Sequence, residues 1–230
     1  MNIPRGRYYF HGTSLENARA IVMRGFAASY EDNTLRGGVL GTGVYVTAEF
    51  RTALFFGDTL LQVELQEGTK ILDLGVPVDA VQMDSLVREF GRGVLTSAPW
   101  KVIPRNKRLT QRELASLVRY HYKPAMSRRA KDGNWPQLPD YRALARLRSV
   151  LVRHGYHGFG HPENADGIVV FQSTRVKCRE VVLRMPQGHN EFSVIESSSL
   201  DELRQLFERE GDADAKSLAD ECRKLRAGKE

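Results

Sequence analysis

The chain has 230 residues, enough to bury a real core, and its 41% hydrophobic and 27% charged content is that of an ordinary globular protein. No apolar run approaches the ~20 residues of a membrane span, and MNIPRGRYYFHGTS has arginines but no apolar h-region, so neither a membrane protein nor a secretory signal is expected. The net charge is +6 but unevenly spread: Lys101 to Arg153 holds 14 Lys/Arg against 3 Asp/Glu, and the remainder holds 20 against 25.

In chain order, the aromatic stretch Arg7–Phe10 predicts a short strand. Thr13 or Ser14 then caps a helix with Leu15, Ala18, Ile21 and Val22 on one face, and Gly25 ends it. Residues 28–38 are polar and glycine-bearing, a loop. Gly43–Thr47 reads as a strand after a glycine turn, and 48–56 as a helix that stops at Gly57. Leu60–Leu65 and Lys70–Leu74 are further strands. Residues 77–153 read as a basic helical insertion, with helices expected at 79–90, 110–122 and 141–154 and a loop at 127–140. Ile168–Phe171 and Arg179–Arg184 return to strand character. Between them and the insertion, the glycines and histidines of HGYHGFGH predict a loop over the site. From Ser199 the tail is helical, with Ser199 and Glu202 spaced as a capping box.

Cys178 and Cys222 form no CxxC pair and no Cys/His cluster, so neither a disulfide framework nor a zinc site is expected. A reducing cytoplasm, of the producing or of a target cell, is the expected setting. His154, His157 and His161 lie close in sequence, but no Cys or carboxylate completes a metal spacing, and no metal is expected.

Three segments carry the chemistry. They are Phe10-His11-Gly12-Thr13-Ser14 with the helix ending in Gly25-Phe26; Gly41-Thr42-Gly43-Val44-Tyr45-Val46-Thr47 with TAEFRTALFFGD and LLQVEL; and Ala165-Asp166-Gly167-Ile168-Val169-Val170-Phe171. In this order they resemble the catalytic core of the poly(ADP-ribose) polymerase and diphtheria-toxin branch of ADP-ribosyltransferases, the H-Y-E or H-Y-D group. The resemblance covers about 8–74 and 165–184, not the insertion or the tail. It implies an α+β fold with a split antiparallel β-sheet core, and the residues themselves add a helical insertion within 1–198 and a helical tail at 199–230.

The resemblance also implies NAD⁺ as substrate. Gly12 is placed to offer a backbone NH and C=O to the nicotinamide carboxamide, since glycine lets a ligand approach closely. His11 beside it fixes a ribose hydroxyl, and Tyr45 stacks on the nicotinamide. Thr13 and Ser14 complete that edge, and Phe55 or Phe56 takes the other ring face. The oxocarbenium-like transition state wants a carboxylate near the ribose. Here the chain departs from the pattern: Gly167 stands at the usual glutamate position. Asp166, brought in by a one-residue bulge, is the first choice, and Glu163 the second.

Each residue also has a plainer reading. His11 alone would be a structural histidine, and the Gly-Thr-Ser after it reverses that. Tyr45, Phe55 and Phe56 would serve in a core, and Asp166-Gly167 is a common turn dipeptide. The basic block would serve as a solvated helix face. With Trp100, Tyr120, Tyr122, Trp135 and Tyr141 interspersed, it also suits a nucleic acid, through phosphate neutralisation and base stacking. Arg105, Lys107, Arg108, Arg128 and Arg129 are the candidate contacts. An acidic protein, such as an antitoxin or inhibitor, would fit the same charge.

The expected activity is mono-ADP-ribosyl transfer from NAD⁺ to a macromolecule, with RNA or DNA favoured over protein. A bacterial toxin or antiphage effector is the expected setting. The rivals are an NAD⁺ glycohydrolase, a non-catalytic module binding NAD⁺, ADP-ribose or nucleic acid, and, more weakly, an RNA 2′-phosphotransferase.

Overall fold

Alternating and β-branched residues build two sheets, described in a computed structural model over residues 2–3, 6–27, 43–73, 148–163, 167–185 and 192–228. The first sheet has the order β1 (Tyr8–Thr13), β3 (Thr59–Leu65), β7 (Val176–Arg184), antiparallel throughout. The second has the order β2 (Val44–Val46), β6 (Gly167–Val170), β5 (Gly158–His161), β4 (Ile71–Asp73). Its β2–β6 and β6–β5 pairs are antiparallel and its β4–β5 pair is parallel. The architecture is α+β, with one antiparallel and one mixed sheet.

Helix α1 (Leu15–Arg24) starts where Ser14 Oγ accepts from the Asn17 amide. It stops where Gly25, at φ +79°, returns its NH to the Ile21 carbonyl at 2.8 Å. Of the two expected caps, Ser14 does the work; Thr13 is still in β1. Helix α2 (Phe50–Leu54) is short, capped by Glu49 and closed by a turn at Phe55 and Phe56. Residues 148–153 are helical, the described end of the amphipathic helix expected at 141–154. The loop expected at 28–38, the helices at 79–90 and 110–122 and the loop at 127–140 lie outside the described residues.

Beyond Ser199 there are two helices, α4 (Leu200–Glu210) and α5 (Ala213–Ala227), preceded by a short α3 (Phe192–Ser197). The capping box forms in full: the Glu202 amide donates to Ser199 Oγ, and the Ser199 amide to the Glu202 carboxylate at 2.7 Å. Gly211 breaks the tail, and Asp212 caps the second helix through the Ala215 amide. Both helices pack on the sheet. Leu203 and Phe207 join Leu60, Leu183 and Met185 in one cluster, and Leu218, Ala219 and Cys222 join Tyr9, Leu61 and Val63 in another.

The expectation of a loop at HGYHGFGH is corrected: Gly158–His161 is an interior strand between β4 and β6. Glycine disfavours a strand by propensity, but here it permits close packing. A Cβ on Gly158 would sit 2.3 Å from the Val169 carbonyl oxygen. His157 ties this strand to β4, its Nδ1 accepting from the Lys70 amide at 2.9 Å while its own amide donates to the Lys70 carbonyl.

Candidate functional site

The two sheets share one buried core, and among the described residues one pair links their backbones. Phe10 and Thr47 exchange both backbone hydrogen bonds, at 2.7 and 3.0 Å, as an isolated antiparallel bridge. Continuing that ladder would next bring the Gly12 amide to the Tyr45 carbonyl. The strands splay instead, and His11 Nδ1 lies 2.8 Å from the Tyr45 carbonyl oxygen. A carbonyl only accepts, so Nδ1 carries the proton and the neutral ring keeps its lone pair on Nε2. Where β1 parts from β2, the histidine side chain replaces a backbone donor.

The splay defines a notch. The Phe10 NH and C=O both face β2, and the two-residue repeat of a strand aims those of Gly12 the same way. Gly12 therefore turns its backbone donor and acceptor into the gap. His11 lies on the face of Tyr9, where its ring meets Phe26 edge-on at 5.1 Å. Tyr45 alternates with Val44 and Val46, which belong to that core, so its half-buried side chain leaves on the opposite face. The two side chains leave the junction on opposite faces.

Gly12 also has a packing reason to be glycine. A Cβ there would stand 1.7 Å from the Ala53 carbonyl oxygen, because α2 lies directly on β1. Gly57 is pressed in the same way against the backbone of Thr13. That contact sets the turn carrying Phe55 and Phe56 beside the end of β1. Phe55 is half exposed and Phe56 is 72% exposed, so neither is a core aromatic. Thr13 is buried, and Ser14 spends its hydroxyl on the helix cap.

The carboxylate end is less complete. Gly167 opens β6 at φ +68°, and a Cβ on it would lie 2.5 Å from the Val46 carbonyl oxygen. It belongs to the same face as Val169 and Tyr45, where the resemblance wants a glutamate. This β2–β6 spacing does not admit one. Glu163, 62% exposed in its side chain, is held by Arg7, which also donates to the Pro162 carbonyl. The Arg7 hydrogen bond keeps the Glu163 carboxyl below its ordinary pKa. Arg7 lies 5.3 Å from the ring centre of Tyr9, whose buried hydroxyl is pushed up to about 12 by desolvation. The sequence reading missed Arg7; its alternation with Tyr9 and His11 was the available signal. Asp166 lies outside the described residues, as do Arg105, Lys107, Arg108, Arg128 and Arg129. Among the described residues no group of His, Cys, Asp and Glu is arranged to hold a metal, and no helix is long and apolar enough to cross a membrane.

Burial holds His11, only 8% exposed, below the ordinary imidazole pKa, with the Tyr45 carbonyl opposing the shift. His157 is lowered too, by burial and then by Arg175 and Lys70. A histidine harder to protonate folded than unfolded leaves the unfolded chain binding more protons at low pH. The contribution is intact above the unfolded value of about 6.5 and is lost as pH falls through the folded one. For each such histidine the slope approaches about 1.4 kcal/mol per pH unit once the unfolded chain is protonated. Denaturant melts between pH 7.5 and 5.5 should show stability falling with acidity, less steeply in His11→Asn. A pH-independent midpoint would contradict it.

No protein-family model matches the chain, nor does any curated protein or solved structure.

Proposed function

We propose that this chain is an NAD⁺-dependent mono-ADP-ribosyltransferase with a split-sheet ADP-ribosyltransferase core, acting on a macromolecule, RNA or DNA before protein. The observation that carries the reading is the notch at Gly12. A backbone donor and acceptor, one residue apart from an imidazole, face a gap between two strands, with Tyr45 on one side and the Phe55-Phe56 turn at the end. A carboxamide needs one acceptor and one donor in line, and a flat ring needs apolar walls. Nicotinamide supplies both. His11 Nε2 is a buried acceptor, and in this reading a ribose hydroxyl comes to it as the ligand enters the junction. The basic block from Lys101 to Arg153 supports a polyanionic acceptor. A toxin or antiphage effector held in check by an acidic inhibitor protein is the setting this activity would fit.

A second reading draws on Gly167. With no side chain at that position of the Tyr45 face, the proposed site lacks the expected glutamate. A binding module or a glycohydrolase would tolerate that. Asp166 adjoins Gly167 in sequence, whereas Glu163 is already paired with Arg7. Asp166→Ala is therefore expected to lower NAD⁺ turnover more than Glu163→Ala, and the reverse order would move the catalytic carboxylate to Glu163.

The deciding experiment incubates the purified protein with labelled NAD⁺ and cell lysate, with and without nuclease or protease pretreatment. Nuclease-sensitive label supports transfer to nucleic acid, and protease-sensitive label reassigns the acceptor to protein. Free ADP-ribose alone means a glycohydrolase, and absent turnover with retained NAD⁺ binding means a binding module.

A further inference from the structure

The only two cysteines of the chain stand 44 positions apart in sequence, yet the fold brings them to one place. Cys178 is on β7 and Cys222 on α5, and both pack in the core cluster of Tyr9, Leu61 and Val63. The backbone gives the reason. Opposite β3, Glu180 pairs with Gln62 and Cys178 with Val63, which leaves Arg179 as an extra, bulged residue. A bulge turns a carbonyl out of the ladder, and a carbonyl facing a packed helix needs a donor. Helix α5 supplies two: Cys222 Sγ donates to the Arg179 carbonyl at 3.8 Å, and Arg226 donates to it at 3.5 Å. Cys178 Sγ donates to the next carbonyl along, Glu180, at 3.9 Å. Both thiols thus bind neighbouring carbonyls of one bulge.

We propose that Cys178 and Cys222 form a redox-responsive dithiol, closing to a disulfide that ties the last helix to the edge of the first sheet. The co-reactant is a two-electron oxidant of the peroxide class. One thiolate attacks the peroxide oxygen and becomes a sulfenic acid as hydroxide leaves. The other sulfur then attacks that sulfenic sulfur and the S–O bond breaks. In sum, two thiols and one peroxide give one disulfide and two waters. Coupling to Cys178 lowers the Cys222 thiol below its ordinary pKa and raises its partner, and the step is the same whichever sulfur attacks first. Cys178 is half-buried and Cys222 is 6% exposed, which suits a small oxidant better than a protein disulfide. The inference does not depend on the NAD⁺ reading.

The test treats the full chain with hydrogen peroxide, alkylates remaining thiols, and maps peptides without reduction. The expected result is a monomer that has lost two hydrogens, carries one Cys178–Cys222 peptide pair and melts several degrees higher than the reduced protein. Cys178→Ser and Cys222→Ser should each abolish the pair and the shift, and dithiothreitol should reverse both in the native chain. If both thiols remain alkylatable after oxidation, or if only intermolecular dimers form, the dithiol is overturned. Cys178→Ser alone decides the matter if Cys222→Ser does not fold.

Discussion

His11→Ala is expected to cost roughly 100-fold or more in NAD⁺ turnover, the scale seen when one positioned polar group leaves a catalytic site. It should also destabilise the fold by about 1–3 kcal/mol, because the Tyr45 carbonyl loses its Nδ1 donor where β1 leaves β2. The two effects can be separated. In His11→Asn the side-chain amide can still donate to that carbonyl but has nothing in place of Nε2. The asparagine variant should therefore melt close to the parent while turning NAD⁺ over as poorly as the alanine variant. Tyr45→Ala should lose turnover with little change in the backbone ladder, since its contribution to the His11 contact is a carbonyl. Full activity in both alanine variants would remove the site assignment. A stable, active His11→Asn would make the histidine a structural plug only.

The second large effect is expected at Gly12. An added methyl group would sit 1.7 Å from the Ala53 carbonyl oxygen, and the obstacle is helix backbone, which cannot swing aside. Helix α2 or β1 must move, at a cost of about 1–3 kcal/mol or more. For a domain of this size that is a fall in Tm of roughly 2–12 °C. Gly12→Ala should also lose NAD⁺ binding, because the amide and carbonyl facing the notch move with the strand. Gly57→Ala supplies the comparison. Its methyl group would meet the Thr13 backbone at 2.2 Å, so it strains the same junction without touching the Gly12 amide. Equal melting losses with a larger binding loss at Gly12 would separate the ligand contact from the packing. Hydrogen exchange at the α2 amides would show the displaced helix directly. An unchanged melt for Gly12→Ala would contradict the close approach of α2.

What the sequence determined on its own was local. The Ser14 cap, the Gly25 stop and the Ser199–Glu202 box act within four residues, and their chemistry is legible wherever they occur. Strands β1, β2, β3, β4, β6 and β7 were legible because aromatic and β-branched content and side-chain alternation are also local, although β1 and β7 run longer than their expected cores. His11, Gly12 and Tyr45 were grouped by motif order alone, and the fold makes them neighbours at one strand junction.

The rest was decided by residues far apart in the chain. Propensity argued against a strand at Gly158–His161, and only the nearness of the β6 backbone makes glycine the fitting residue. Gly12 looked like a ligand-contact glycine, and the tertiary structure adds a helix carbonyl that would exclude any other residue. The tail's role followed only from its docking: α4 and α5 bury their apolar faces on β7. The cysteine spacing carried no signal, because a bulge at Arg179 and a helix that meets it through a residue 43 positions later bring the two thiols together. Local hydrogen bonds and side-chain periodicity can be read along a chain. Close backbone approach, orphaned carbonyls and shared burial exist only once the strands and helices have met.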